Sequence, residues 1–398
     1  MPGSTSTDVH YDPYDVDIAA DPYPVFRRLR EEAPLYYNEP HDFYAVSRFD
    51  DVQRGFSSPE TFISGRGGIL ELIKADIVMP PGVILFEDPP SHTVHRRMLS
   101  RAFTPRRVAQ LEVKIRDFCV RSLDPLVGAG GFDFIADLGA QVPMKTIGML
   151  LGIPESDQET IRDESMGAMR TKAGEPLKFD NFMVSAEMFA DYVEWRAQHP
   201  SDDLMTELLE AEFEDEKGTV RHLTRDELLN YVNVLAGAGN ETTNRLIGWT
   251  GKTLGEHPDQ RHELVAQPAL LPAALEEVLR FEPPAPHVGR YVAHDASFHG
   301  QTVPEGSAIL FLVGSGNRDD RRFPDGDRFD IHRADGPHIT FGHGIHFCMG
   351  AALARLEGRI AFEEVLRRFP DWEVDMDNAV LSTTSTVRGW DSLPVVTP

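Results

Sequence analysis

The sequence predicts a mainly α fold with a minor β portion, and three observations carry this prediction. Apolar residues recur at helical spacing through most of residues 91–257, short β-like runs separated by turns occupy residues 288–313, and a last long helical pattern covers residues 349–368. No Gly/Ser run, Pro-rich spacer or repeat interrupts the 398 residues. The sequence therefore predicts one domain covering residues 1–398.

The elements that precede residue 91 are short. Residues 22–32 predict an amphipathic helix, and the apolar runs at residues 35–37 and 43–46 predict a hairpin. Residues 65–90 are rich in Gly and Pro and therefore predict a long loop. Long loops in compact proteins usually serve function.

The helical region is divided by Gly- and Pro-containing breaks, and its longest pattern runs from about residue 225 to 257, where Pro258 closes it. Breaks lie near residues 128–131, 154, 174–176 and 199–200. In the β portion, turns are predicted at residues 298–301 and 304–306, and the tail at residues 381–398 predicts a terminal hairpin.

Charge and composition exclude several classes of function. The formal net charge is −25, which argues against nucleic acid and against anionic membrane surfaces as partners. The apolar run at residues 77–86 contains Pro80, Pro81 and Gly82 and is too short to span a bilayer. Residues 1–14 are small, polar and acidic, so no signal peptide is predicted and a cytoplasmic location is expected.

The chain has only two cysteines, Cys119 and Cys348, which excludes a disulfide framework. Cys119 lies in a helical pattern, where a small buried apolar side chain is expected. Cys348 lies in the Gly-rich stretch at residues 341–350.

The Gly-rich stretch reads Phe-Gly-His-Gly-Ile-His-Phe-Cys-Met-Gly. Glycines at 342, 344 and 350 permit a tight turn and a close approach of the backbone to a flat ligand. Because a helix is predicted just after the cysteine, its free N–H groups would stabilise a thiolate. Two alternatives remain at this point, an inert buried cysteine and a zinc site formed with His338, His343 and His346.

The pattern Phe-Gly-x-Gly-x-His-x-Cys-x-Gly resembles the haem-binding loop of the cytochrome P-450 family at every defining position. The resemblance implies the fold of that family, a helical bundle that encloses haem b and carries small antiparallel β regions. It implies that Cys348 is the axial ligand of the haem iron and that His346 reaches a haem propionate. By the same resemblance, Phe341, Gly342 and Gly350 belong to the cofactor-binding loop.

A second pattern is Glu277-Val278-Leu279-Arg280 on a predicted helix. Residues three apart share a helical face, so Glu277 and Arg280 can pair. In the P-450 family this pair locks onto a later arginine, and the resemblance implies Arg328 for that role. All three are expected to be structural, because removal of one member would leave buried charges unpaired.

A third pattern, Ala238-Gly239-Asn240-Glu241-Thr242-Thr243, lies midway along the 225–257 helix. Glycines inside a helix cost roughly 1 kcal/mol each, so a ligand close to the backbone or a local distortion of the helix is predicted here. A solvated glutamate and a threonine bonded back to a carbonyl would be the alternative. The pattern resembles the oxygen-activating turn of the family, with Thr242 as the hydroxyl and Glu241 as the acid.

A fourth pattern is basic. His92 and Arg96 share a helical face and suit a carboxylate-bearing ligand, and the resemblance implies that they hold haem propionates together with Arg290. The basic segment continues through Arg97 and Arg101. The resemblance implies that this helix borders the surface where the electron donor docks, so a positive patch, aided by Arg355 and Arg359, is expected to receive an acidic ferredoxin.

Together the resemblance implies a monooxygenase that uses O2 and two electrons from a ferredoxin, reduced by a ferredoxin reductase. The expected substrate is a hydrophobic small molecule of the lipid, sterol, terpenoid or polyketide class. Its expected pocket walls include Ala238, Gly239, Val288 and Val387. Two alternatives are a peroxide-using haem-thiolate enzyme and a haem-based ligand binder without catalysis.

Overall fold

The computed structural model describes residues 8–77, 79–177, 186–334 and 336–398. In chain order its α-helices are α1 (Val16–Ala20), α2 (Tyr23–Glu32), α3 (Phe49–Phe56), α4 (Leu70–Ala75), α5 (Ser91–Leu99), α6 (Pro105–Gln110), α7 (Glu112–Leu123), α8 (Val142–Leu151), α9 (Gln158–Met169), α10 (Ala190–Gln198), α11 (Leu204–Glu210), α12 (Arg225–Glu256), α13 (Pro258–Ala266), α14 (Leu271–Phe281), α15 (Val313–Gly316) and α16 (Ala351–Arg368). Short 3₁₀ turns and a π-helical segment, Phe134–Gly139, complete the helical part.

The strands are short. In chain order they are β1 (Leu35–Asn38), β2 (Phe43–Val46), β3 (Phe62–Ile63), β4 (Gly131–Asp133), β5 (Phe213–Glu214), β6 (Val220–Arg221), β7 (Val288–Val292), β8 (Ala296–Phe298), β9 (Gln301–Val303), β10 (Ala308–Phe311), β11 (Glu373–Val374), β12 (Val380–Leu381), β13 (Trp390–Ser392) and β14 (Pro394–Val396). The fold is thus helix-rich with small sheets, as the sequence predicts.

The largest sheet has the strand order β1-β2-β10-β7-β3. Its pairs are antiparallel except β2 with β10, which run parallel. The predicted terminal hairpin is confirmed in part: β12 and β13 pair antiparallel and form a C-terminal hairpin, whereas β14 pairs with β4 and β11. Residues near the end of the chain therefore reach two separate sheets.

Helix α12 is the central element. It begins with a capping box in which the Thr224 side chain accepts from the Glu227 backbone N–H and the Glu227 carboxylate accepts from the Thr224 backbone N–H. Arg221 further holds Glu227 in an ion pair of 2.7 Å. Buried Tyr231 and Trp249 anchor the helix in the main core. The helix is continuous through Gly237 and Gly239, so the predicted local distortion is not present.

The prediction of one uninterrupted loop at residues 65–90 is wrong in part. Within it, α4 and the 3₁₀ turn Ile84–Phe86 are helical. Leu70, Leu72 and Ile73 of α4 are buried, and this burial stabilises a short helix that the Gly- and Pro-rich composition around it conceals. Among the described residues, no helix is long and apolar enough to cross a membrane.

Candidate active site

The Gly-rich loop folds back on itself before α16. The Cys348 backbone N–H donates to the Phe341 carbonyl at 2.8 Å, which closes the loop. Gly342 and Gly344 have φ values of 72° and 71°, which only glycine adopts readily. At Gly344 an added Cβ would also lie 2.5 Å from the Phe56 carbonyl oxygen. Gly350 has an ordinary φ of −82°, so the turn does not require glycine there.

Cys348 is exposed as a residue. Its sulfur is nevertheless desolvated by the atoms around it. Burial raises the pKa of this thiol, whereas the backbone N–H groups of Gly350 and Ala351 and the nearby Arg96 and Arg355 lower it. Helix α16 thus directs two backbone donors at the sulfur, as a thiolate requires. Cys119, in contrast, is fully buried, and burial raises its pKa.

Four donor side chains predicted to bind propionates lie together. The rings of His92 and His346 have centroids 4.2 Å apart, and His346 Nε2 lies 3.1 Å from Ser64 Oγ. Burial, followed by the charges of Arg290, His92 and Arg96, lowers the pKa of His346 to about 3, so this imidazole is neutral. Burial lowers the pKa of Arg290 to about 10.

These donors fit the edge of a cofactor that carries two negative charges. His92 Nε2 is buried and has no hydrogen-bond partner in the structure. The Arg290 guanidinium is buried and donates to the carbonyl of its neighbour Gly289 at 2.8 Å. Within the described part of the chain, no carboxylate forms an ion pair with Arg290 or Arg96. A buried cation (Arg290), a half-buried one (Arg96) and an unsatisfied imidazole nitrogen fit the two propionates of haem b, because buried polar groups are normally paired.

At the centre of α12, Thr242 Oγ1 donates to the Ala238 carbonyl at 2.8 Å, as the alternative interpretation of this pattern expected. Ala238 is exposed although the helix around it is largely buried, and a Cβ added at Gly237 would meet no atom within 4 Å. Open space therefore faces the helix at the residues beside Thr242. This arrangement suits a group bound against the helix.

Glu241 is not the solvated side chain that the alternative expected. It is buried, and its Oε1 accepts from Arg245 Nε at 2.8 Å and also from Arg245 Nη2. The same Nη2 lies 3.0 Å from Asp391 Oδ1 and 3.2 Å from Ser382 Oγ. Arg245 and Asp391 were not among the predicted site residues. The spacing of four between Glu241 and Arg245 is the signal that would have found the first of them.

The predicted role of Arg328 is wrong. Glu277 and Arg280 do pair, at 2.7 Å with both side chains buried. However, the Arg328 side chain is 68% exposed and pairs with Asp330, and only its carbonyl accepts from Arg280. The later arginine is Arg333, whose Nε lies 3.1 Å from Glu277 Oε1. The irregular chain at this point turns Arg333 inward.

Among the predicted pocket walls, the Cβ position of Gly239 faces α8. A Cβ added there would lie 2.7 Å from Ile147 Cδ1, so this glycine serves the close packing of α12 on α8. Ala238 is exposed, Val288 is half-buried and Val387 is 9% exposed. These three remain predicted walls.

The predicted docking residues Arg97 and Arg101 are exposed at the end of α5. No carboxylate among the described residues pairs with either of them. Arg355 and Arg359, which the sequence suggests as further members of this surface, are instead occupied. Arg355 pairs with Glu276 at 2.6 Å, and Arg359 pairs with Glu112 at 2.8 Å.

Comparison with known proteins extends these observations. A family model described as cytochrome P-450 matches residues 178–390, more than half of the chain. The cytochrome P-450 123 of Mycobacterium tuberculosis is 36% identical over 393 residues, which cover 96% of each chain.

Solved structures agree with this match. The cytochrome P-450 CYP109Q5 from Chondromyces apiculatus has a TM-score of 0.86 at 33% identity and covers 98% of both chains. CYP109E1 from Bacillus megaterium, solved in complex with testosterone, has a TM-score of 0.85 at 26% identity and covers 96% of this chain and 99% of its own.

Proposed function

The chain belongs to the cytochrome P-450 family, and from that premise we propose a ferredoxin-dependent enzyme that hydroxylates an apolar small molecule of the lipid, sterol, terpenoid or polyketide class. Membership makes the protein an oxidoreductase, a haem-thiolate monooxygenase that binds haem b. The observation that carries the assignment of residues is the position of the Cys348 thiol. Its sulfur faces the first N–H groups of α16 and lies near Arg96, one of the four predicted propionate donors.

Cys348 is proposed to hold the iron through its sulfur. His92, Arg96, Arg290 and His346 are proposed to hold the propionates. When bound, haem b supplies oxygen activation and the insertion of one oxygen atom into a C–H bond. Burial raises the pKa of the Cys348 thiol, and the N–H groups of Gly350 and Ala351 oppose that rise, because two donors and the start of a helix favour negative charge there.

Thr242 and Glu241 are proposed to deliver protons. The Thr242 hydroxyl lies beside exposed Ala238 and can both donate and accept a proton. Glu241, one residue earlier, is a buried carboxylate whose Oε2 has no partner. Ala238, Val288 and Val387 are proposed to orient an apolar substrate and to exclude water from it.

The test of the cofactor assignment is the absorption spectrum of the dithionite-reduced protein under carbon monoxide. We expect the red-shifted Soret band of a thiolate-ligated carbonyl in the wild type and its loss in Cys348→Ala. Cys119→Ala is the matched control, because it removes the other cysteine and should keep the band. A band that survives in Cys348→Ala, or that disappears in the control at equal haem content, would contradict the assignment.

Docking of a ferredoxin is proposed at Arg97 and Arg101. Both cations are exposed, and neither forms an ion pair within the described residues, in a chain whose net charge is −25. A local excess of positive charge attracts an acidic partner and raises the association rate. The neutralised Arg355 and Arg359 contribute little to this surface.

Reversal of charge tests the docking surface. Arg97→Glu or Arg101→Glu should lower kcat/KM for an acidic ferredoxin about tenfold at low salt, and the difference should shrink as salt screens the charges. Arg28→Glu on α2 changes the net charge equally and should have little effect. Unchanged kinetics in both docking variants would rule out this surface.

The proposed substrate class is supported by a ligand bound to a structural relative. The structure of CYP109E1 contains testosterone, which supports an apolar ligand of steroid size for this chain. Screening of the ferric protein for spin-state shifts with steroids, fatty acids, terpenoids and macrolactones tests the proposal.

A cytoplasmic location of the protein remains a prediction.

A further inference from the structure

We propose that Arg245 is a positioning residue that holds the Glu241 carboxylate in reserve, and that Asp391 competes for the same guanidinium to release it. This inference rests on the proposed role of Glu241 and Thr242 in proton delivery. It concerns how the carboxylate is held before it acts.

The first observation is the direction of the Glu241 carboxylate. Its Oε1 is bound by Arg245 Nε at 2.8 Å and by Arg245 Nη2, whereas Thr242 Oγ1 is bonded to the Ala238 carbonyl. The acid and the hydroxyl are therefore not bonded to one another. Glu241 must take up a proton and leave Arg245 before its carboxyl can donate to Thr242.

The second observation is an imbalance of charge. A single guanidinium, 2% exposed at its side chain, faces two carboxylates, Glu241 and Asp391. The second oxygen of Glu241, Oε2, is buried and has no partner. The negative charge of Glu241 is therefore incompletely compensated, because the carboxylate shares its cation and one of its oxygens is unsatisfied.

The third observation is a path to solvent. Asp391 is 23% exposed at its side chain, unlike buried Arg245 and Glu241. It lies on β13, next to the Trp390 carbonyl, which also accepts from Arg245. The Asp391 carboxylate thus connects the buried Glu241–Arg245 pair with the protein surface. The C-terminal hairpin that carries Asp391 also carries the predicted pocket wall Val387.

The fourth observation is that the hairpin is shaped around Arg245. A Cβ added at Gly389 would lie 2.4 Å from Arg245 Cδ and 3.0 Å from its Cβ and Cγ. The missing side chain at position 389 therefore lets the guanidinium stem pass along the hairpin. Arg245 is held by packing as well as by charge.

A proton from solvent binds Glu241 Oε2, and the neutral carboxyl leaves Arg245, whose Nη2 keeps Asp391. The carboxyl then donates that proton to Thr242 Oγ1 while the hydroxyl passes its own proton into the site. Glu241 returns as a carboxylate to Arg245.

Infrared spectroscopy of the ferric holoprotein tests the resting state without turnover. In Arg245→Met the buried Glu241 loses its cation and should take up a proton. A carboxylic-acid C=O band should therefore appear in the difference spectrum against the wild type. The double variant Arg245→Met/Glu241→Gln should lack this band, which assigns it. Other buried carboxyls cancel in the difference.

Kinetics provide the second readout. Arg245→Met should lower kcat about tenfold with little change in KM and increase the release of hydrogen peroxide per electron consumed. Arg245→Lys should restore most of kcat.

Asp391→Asn should slow turnover and enlarge the solvent isotope effect, because Arg245 then stays on Glu241. Gly389→Ala, which displaces Arg245 without a change of charge, should act like a mild Arg245→Met and replaces it if that variant does not fold.

The outcomes separate the two proposals. If Glu241→Gln turns over like the wild type while the carbon monoxide band is intact, the proton-delivery role fails and this inference fails with it. If Glu241→Gln is slow but Arg245→Met shows neither the infrared band nor a loss of kcat, Arg245 is not a positioning residue. A slow Glu241→Gln together with the band, the loss of kcat and rescue by lysine supports the inference.

Discussion

Two buried glutamate–arginine pairs, each within one helix, differ in how completely they are satisfied. Arg280 donates twice to Glu277 and also to the carbonyls of Asn317, Gly326 and Arg328. Glu277 in turn accepts from Arg333 and from a backbone N–H. Every polar group of this first pair has a hydrogen-bond partner.

The second pair, Glu241 with Arg245, is left incomplete. Its cation is shared with Asp391, and Glu241 Oε2 has no partner. A saturated pair fixes the fold, because any change of protonation would break several hydrogen bonds at once. An unsaturated pair can change protonation at smaller cost. The degree of satisfaction therefore distinguishes the structural pair from the proposed functional one.

The largest expected effect comes from the loss of Arg280. Arg280→Met leaves Glu277 with one cation and removes the donor to the carbonyls of Asn317 and Gly326. Breaking such a buried pair costs ~3–5 kcal/mol of unfolding free energy. Arg245→Met should cost less than half as much, since Asp391 reaches solvent and Glu241 can take up a proton. Urea denaturation of both holoproteins measures the difference. Equal losses would remove the distinction between the pairs.

A smaller effect separates Arg333 from Arg328. Arg333→Ala removes a charged hydrogen bond to Glu277 and should cost ~1–3 kcal/mol. Arg328→Ala keeps the carbonyl that Arg280 uses and removes only an exposed side chain, so its cost should stay within ~0.5 kcal/mol. The same denaturation experiment decides between them. A larger loss in Arg328→Ala would restore the role that the sequence implied.

The smallest effect concerns a third glutamate, Glu357 on α16, whose Oε2 is buried without a partner. Burial raises its pKa well above the usual value. Because the unfolded chain loses this proton at a lower pH than the folded protein, the free energy of unfolding falls as pH rises above the pKa of Glu357 in the unfolded chain. Glu357→Gln should raise the melting temperature by a few degrees at pH 8 and by little at pH 4. A destabilised variant at pH 8 would show that the charged carboxylate is needed.

Features set by local pattern could be predicted from the sequence. Helix α12 begins and ends within one residue of the prediction, because a capping residue and Pro258 mark its ends. The loop at residues 341–350 could be identified because its fixed residues match the family pattern, and two of its glycines, Gly342 and Gly344, adopt the positive φ that the tight turn needs. In the same way, His92 and His346 lie together as the resemblance implied.

Features set by tertiary packing could not be predicted. Arg328 and Arg333 lie five residues apart in an irregular segment, and nothing in the pattern shows which side chain turns inward. Asp391 meets Arg245 across 146 positions of sequence. Gly239 packs on Ile147 of another helix, whereas the pattern suggested an approach by a ligand.

The absence of a side chain at Gly389 has a consequence for how this protein can change over evolutionary time. A side chain at position 389 would overlap the aliphatic stem of Arg245, so position 389 can gain atoms only if the side chain at position 245 becomes smaller. We expect the two positions to covary among relatives. A lineage that acquires a side chain at the position of Gly389 should carry a small residue in place of Arg245, and its acid at position 241 would then have to find another cation.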